Sequence, residues 1–322
     1  MNESPRLSVQ IPIFTQSAES VLAEKGRSFY WARHMLGGRH ADRATRLYRL
    51  CRYIDDLADE ACSTSAAKKA LSTVVASVRD GHSDDPVIQD GLALMLECNI
   101  DALIFLDLIA GVQSDLEPVR MPDMDSLLRY CYQVAGTVGL MMCKVLDTDA
   151  RAAFPHAVDL GIAMQLTNIC RDIAADALAD RRYLPASMVG DLSPEMLLCP
   201  SHPLADRVKE CVSSLLICAE KYYQSGELGL SYLPVRARGG MLVAGRVYRE
   251  IGVQLKARDH VYWSERVVVP PWRKALVTSQ ALLALPRSRF FWSHPAQHDH
   301  QLHTALSSPP SCSPVSFLRY AS

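Results

Sequence analysis

The sequence predicts an all-α fold, roughly ten helices in a single domain, and three observations carry that expectation. Apolar residues recur at helical spacing along most of the first 285 residues. Alternating, β-branched strands are missing. Gly and Pro breakers fall where they leave only short loops. In chain order, Arg46–Glu60 sets Leu47, Leu50, Ile54, Leu57 and Ala58 on one amphipathic stripe. Ala102–Leu116, Leu127–Leu146, Ala157–Ala179, Arg207–Leu230 and Val235–Leu255 have the same period. Boundaries come at Gly37-Gly38, at Pro122 with Asp123 as N-cap, and at Pro155, Pro185, Pro200–Pro203, Pro234 and Pro270-Pro271.

Composition narrows the function classes. With 34 Lys+Arg against 35 Asp+Glu the net charge is −1, so the global basic field of a nucleic-acid binder is lacking. A hydrophobic share of 49% excludes disorder for most of the chain. The ten cysteines are scattered singly without a CxxC pair, which points to a reducing, cytoplasmic compartment. The most apolar stretch, Leu92–Val112, is broken by Glu97, Asp101 and Asp107, so no membrane span is expected. The chain divides into an N-terminal extension (1–16) without signal-peptide pattern, a helical domain (17–285) and a tail (286–322). The tail holds five prolines, eight serines and four of the ten histidines, the composition of a loosely attached or disordered segment. Phe290, Phe291 and Trp292 beside Arg287 and Arg289 offer a peripheral membrane contact. The spacing of His298, His300 and His303 on such a tail is poor support for a metal.

Two acidic clusters carry the chemistry. In the first, Asp55 and Asp59 are i, i+4 neighbours on a helix face that continues upward through Arg52 and Tyr48, with Asp56 beside them. In the second, Gln165, Asn168, Asp172 and Asp176 share one stripe of an otherwise apolar helix. A solvated face is the bland alternative, but paired Asp residues repel at this spacing, and such a face more usually mixes Glu with Lys. Carboxylates with amide oxygens suit a hard cation such as Mg²⁺, which keeps waters and substrate phosphates in its shell. Two such clusters would hold diphosphate groups from both sides, with Arg52, Arg171 and Arg181 adding contacts. Apolar helices would wall off a carbocation from water. Thr45, one turn before Tyr48, is expected on the same face as a small residue leaving room for a long tail.

These residues resemble the squalene/phytoene synthase family over most of residues 17–275, which implies the isoprenoid-synthase helical bundle around a central cavity. The likeness runs through Gly26-Arg27-Ser28-Phe29, then Tyr48…Arg52…Asp55-Asp56-Leu57-Ala58-Asp59, then Tyr130-Cys131-Tyr132-Gln133-Val134-Ala135-Gly136-Thr137-Val138-Gly139. It continues through Gln165–Asp176, Arg181-Arg182-Tyr183-Leu184-Pro185, Leu233–Arg238 and Tyr248–Ile251. The small residues Gly136 to Gly139 admit either a substrate or a neighbouring helix at close range. Two departures stand out: Gly26 where the family often has Ser, and Ala174-Ala175 where Gly-Glu is usual.

The resemblance implies a prenyltransferase that condenses two prenyl diphosphates head to head through a cyclopropyl diphosphate. The expected substrates are two geranylgeranyl diphosphates and the expected product phytoene, a carotenoid precursor, with Mg²⁺ or Mn²⁺ and no redox cofactor. It assigns Asp55, Asp59, Asp172 and Asp176 as metal ligands with Asn168, and Asp56 as a further candidate. Arg52, Arg171, Arg181 and Arg266 would contact diphosphate. Gln165 and Asn168 would position phosphate and water. Ser28, Phe29, Tyr48, Tyr130, Tyr183 and Tyr248 would line the substrate site. Competing expectations are a squalene or dehydrosqualene synthase on farnesyl diphosphate, and a non-catalytic assembly protein, which the intact aspartates disfavour.

Overall fold

Helices begin and end where caps and prolines place them. A computed structural model of the chain describes residues 19, 20, 22, 30, 33–294, 297–307 and 315–320. Its main elements are α1 (Gly38–Asp59), α2 (Thr64–Asp80), α3 (Pro86–Cys98), α4 (Ala102–Ser114), α5 (Met124–Cys131) and α6 (Thr137–Val145). They continue with α7 (Phe154–Leu178), α8 (His202–Leu228), α9 (Val235–Ala257) and α10 (Pro271–Ala284). No strand occurs among the described residues, only an isolated bridge between Arg120 and Arg182. Asp123 caps α5 as its position predicts, accepting from the Ser126 amide at 2.8 Å. Asp85 and Asp101 cap α3 and α4 in the same way. Pro155, Pro203 and Pro271 sit in first turns, where a missing N–H leaves nothing unsatisfied.

Leu127–Leu146 has the period of one helix, yet a π-helical turn, Tyr132–Gly136, separates α5 from α6. Such a wide turn shifts the register of the side chains that follow it, and here Val134 and Ala135 within it line the cavity described below. The helix packed most widely is α7, which touches α8, α6, the π turn and α9. Its crossing with α6 is backbone on backbone. A Cβ built at Gly139 would stand 2.1 Å from the Ala157 carbonyl oxygen, and one at Gly161 would stand 2.3 Å from that of Ala135. The glycines therefore serve the approach of a helix. No described helix is long and apolar enough to cross a membrane, and every described cysteine is free.

The tail departs from its expectation. Residues 297–307 and 315–320 are built into the helical body, and Leu306 and Phe317 are completely buried. The Ser316 amide donates to Asp107 at 2.8 Å, and Arg319 donates to Asp101 at 2.7 Å. His298 and His303 each donate to Asp159 at 2.7 Å. The physical reason is that Asp107 on α4 and Asp159 on α7 carry carboxylates whose partners come from outside their own helices. Burying such a group unpaired is expensive, and the tail supplies the donors. Composition reports polarity but not these partners. Phe291 is also buried, so of the aromatic run only Trp292 has a described, exposed ring. The 1–16 extension lies outside the described residues.

Phe317→Ala should therefore lower stability by about 3 kcal/mol, the usual cost of truncating a buried Phe. Urea denaturation checks this, and an unchanged midpoint would mean the segment is not docked in solution.

Candidate active site

The two acidic clusters lie toward the C-terminal ends of α1 and α7. The contact that joins them comes from Arg181, just beyond α7, whose Nη2 donates to Asp59 Oδ1 at 2.9 Å. Arg182 next to it is completely buried, and its guanidinium donates to the Leu192 and Leu184 carbonyls at 2.9 and 2.7 Å. That staple holds the segment from which Arg181 and Tyr183 reach the site.

Behind this mouth lies an elongated cavity of about 310 Å³ between α1, α6, α7 and α9. Asp55, Gln165, Asn168 and Tyr248 line its polar end, and Tyr48 and Tyr248 lie within electrostatic reach of each other. Leu47, Val138, Leu160, Met164 and Ala244 line the apolar remainder. Asn168 and Arg171 both hydrogen-bond the Tyr248 hydroxyl. The expected face of α1 is shifted by one residue. Ala44, Tyr48, Cys51 and Asp55 line the cavity, whereas Thr45 is buried beside it with its hydroxyl donating to the Ala41 carbonyl at 2.6 Å.

The charges are unevenly compensated. Burial pushes the Asp55 carboxyl up to about 7; Arg52 opposes the rise, while Asp59, Asp56 and Asp115 add to it. Burial likewise takes Asp176 up to about 7, with Asp172 adding and Arg181 opposing. For Asp172 burial also pushes upward, but Arg171 and Arg266 outweigh it and hold the carboxyl below its usual range. Arg171 Nε lies 2.9 Å from Asp172 Oδ1, and Arg266 lies 2.7 and 3.2 Å from its two oxygens. The Asn168 Oδ1 atom is buried without a hydrogen-bond partner, while its amide nitrogen donates to Gln165 at 3.3 Å. Carboxyls raised by burial and by one another, beside an orphaned amide oxygen, are a hard-oxygen donor set. They fit a small divalent cation.

Several expected roles change. Arg52 pairs with Asp56, and that buried aspartate belongs to this ion pair instead of the cavity wall. Tyr130 and Tyr183 are buried behind the mouth, their rings stacked at 4.9 Å. Their hydroxyls donate to Asp115 at 2.8 and 2.7 Å. Ser28 and Phe29 lie outside the described residues. Asp115 was missed. It is the C-cap of α4 and acts electrostatically on Asp55, Asp176 and Arg181. An acidic residue at a helix C-terminus opposes the helix dipole, and that was the available signal.

The family model described as squalene/phytoene synthase matches residues 22–273. A phytoene synthase of Pseudescherichia vulneris is 33% identical over 269 residues, covering 79% of this chain and 86% of that protein. A 15-cis-phytoene synthase of Enterobacter agglomerans is 32% identical, covering 84% and 98%. Among solved structures, a dehydrosqualene synthase superposes with TM-score 0.75 at 24% identity, covering 84% of this chain and 96% of that one. A squalene synthase from Alicyclobacillus acidocaldarius gives 0.64 at 20%, covering 78% and 97%. At those identities the two structures bear on the fold alone.

Cation binding should depend on pH around neutrality. Asp55 and Asp176 must lose their protons to bind a cation, and both titrate near 7 against about 3.9 when unfolded. Ionising them in the folded, metal-free protein therefore costs stability, a penalty absent below about pH 4 and complete above about pH 7. Mg²⁺ should raise the melting temperature more at pH 8 than at pH 6. Equal shifts at the two pH values would contradict the assignment.

Proposed function

Because the chain belongs to the squalene/phytoene synthase family, head-to-head prenyltransferases, we propose that it is a phytoene synthase acting on two geranylgeranyl diphosphates. The observation that carries the C20 choice is the length of the cavity. Along α7 it runs from Asn168 to His156, twelve residues or about 18 Å of helix, with Asp172 one turn beyond its polar end. An extended sixteen-carbon main chain advances about 19 Å, at roughly 1.25 Å per C–C bond of about 1.5 Å. The twelve-carbon main chain of farnesyl diphosphate advances only about 14 Å by the same measure and would leave the far end empty. The relatives named phytoene synthase support the same choice.

The residues divide the work. Asp55, Asp59, Asp172, Asp176 and the Asn168 amide oxygen would hold Mg²⁺, or Mn²⁺ in its place. The metal held there would supply positive charge to offset that of the leaving diphosphate. Arg171, Arg181 and Arg266 are paired with aspartates of the site in this structure and turn to diphosphate oxygens when substrate arrives. Gln165 orients the same groups. Departure of the first diphosphate leaves a cation at C1, which the C2–C3 double bond of the second substrate attacks, and proton loss closes the three-membered ring. The apolar walls keep water from the cation. Tyr48 and Tyr248, at the border between polar mouth and apolar tube, turn ring faces toward positive charge. The cyclopropyl diphosphate then ionises and rearranges, and loss of a proton yields phytoene without a reductant.

Peripheral membrane contact belongs to the same reading, since the product is a long hydrocarbon. Trp272, Leu283 and Trp292 are exposed on and after α10. Co-sedimentation with lipid vesicles should weaken in Leu283→Ser; equal binding would remove α10 from such a surface.

Purified protein supplied with Mg²⁺ and either C15 or C20 diphosphate should form phytoene from the C20 substrate, with or without NADPH. A C30 hydrocarbon as the main product would favour the farnesyl alternative. Asp172→Asn should lower turnover by about 10²–10³, the scale of a lost electrostatic group, while keeping the fold. Unimpaired turnover at limiting Mg²⁺ would remove Asp172 from the site.

A further inference from the structure

His156 is the polar exception in the apolar part of the cavity wall contributed by α7. Gln165 and Asn168, the other polar residues that α7 offers, stand at the diphosphate end. His156 lies in the first turn of α7, near where Leu146, Ala153, Gly229 and Leu233 also reach the cavity.

The imidazole is held on several sides. Its Nδ1 donates to the Ser225 carbonyl at 2.8 Å, and the Ser225 hydroxyl donates to Asp159. Gly229 presses on it so closely that a Cβ there would stand 2.3 Å from the His156 Cβ. The ring of Tyr232 stacks over it at 6.3 Å, and His294 stacks on Tyr232 at 4.5 Å. His298 meets the His156 ring edge-on at 5.1 Å. Both His298 and His303 come from the C-terminal segment and close on the two oxygens of Asp159, one turn along α7 from His156. Asp159 is completely buried.

We infer that the C-terminal segment, clipped by His298 and His303 to Asp159, positions His156 as the end stop that limits prenyl chain length. The inference deepens the phytoene synthase reading and rests on it. A C20 chain held by its diphosphate at the aspartates ends within the turn of α7 that carries His156. A C15 chain ends about 5 Å, nearly one helical turn, short of that point. A C25 chain would need the space that the imidazole fills. His156 cannot swing aside while Gly229 and Ser225 grip one side and the clipped segment backs the other. His298 and His303 are thus positioning residues, and His156 is the group that meets the substrate. The spacings within the cluster are those of hydrogen bonds, 2.7 Å between each imidazole nitrogen and its carboxylate oxygen. An intervening metal would push those ligand atoms further apart, since zinc alone stands about 2.0 Å from each.

The test compares kcat/KM for C15, C20 and C25 diphosphates in the full-length protein at saturating Mg²⁺. His156→Ala should raise the C25:C20 ratio about tenfold or more, the scale of an apolar pocket enlarged by several carbons. His298→Ala should move the ratio in the same direction, and His298→Gln, whose amide still donates to Asp159, should restore it. His156→Phe keeps a ring in place and should retain the C20 limit, which guards against a folding defect in the alanine variants. The Mg²⁺ midpoint should not move in any of them. An unchanged C25:C20 ratio in His156→Ala would overturn the end stop. Equal losses for every chain length in His298→Ala would reduce the clip to a structural contact. A melting temperature raised by Zn²⁺ in the wild type but not in His298→Ala would make the cluster a metal site and overturn the clip. The wild type's own choice between C15 and C20 decides the phytoene synthase reading separately, because the end stop is judged on the shift between wild type and variant.

Discussion

Helix α7 can lie against α6 at backbone contact because Gly139 and Gly161 carry no Cβ, and most of the molecule is arranged around that crossing. A side chain at Gly139 would overlap the Ala157 carbonyl oxygen on α7, and one at Gly161 that of Ala135 in the π turn leading into α6. With the crossing closed, one continuous helix runs from His156 to Asp176 along the length of the cavity. Its C-terminal half carries the carboxylates, its middle supplies apolar wall, and its first turns reach the C-terminal segment.

The mouth is an arrangement of unequal compensation. Asp172 is neutralised by two arginines, while Asp55 and Asp176 sit where burial and neighbouring carboxylates hold their protons on up to about 7. Arginines and aspartates of the site lie against each other. A cation with a diphosphate would replace those pairs with stronger ones, cation to carboxylate and guanidinium to phosphate. Asp115, braced by two tyrosine hydroxyls, adds negative potential to the same place. Charge at one end and hydrocarbon at the other make the cavity directional, so a prenyl diphosphate enters in one orientation.

Much of this was legible in the chain itself. The helical period depends on local spacing and survives into the structure as α1, α4, α7, α8 and α9. The two aspartate pairs could be read because an i, i+4 relation fixes neighbours on a helix whatever lies around it. Arg266 came from the resemblance and does reach Asp172, a contact between positions 94 residues apart.

What spacing could not decide was which helix faces what. The α1 stripe can be rotated by one residue without changing its period, so Ala44 and Thr45 were indistinguishable until α6 and α9 were in place. Arg52 lies within reach of Asp55 and of Asp56 alike, and only burial of Asp56 selects the pair. The π turn within Leu127–Leu146 has no mark in the hydrophobic pattern. The tail shows the limit most plainly. Its serines, prolines and histidines determine that it cannot form a core of its own, and composition says no more. Its place on the body follows from the buried carboxylate of Asp159 and the half-buried one of Asp107, more than 130 residues earlier in the chain, that need donors. Such a need exists only once the helices have removed those carboxylates from water.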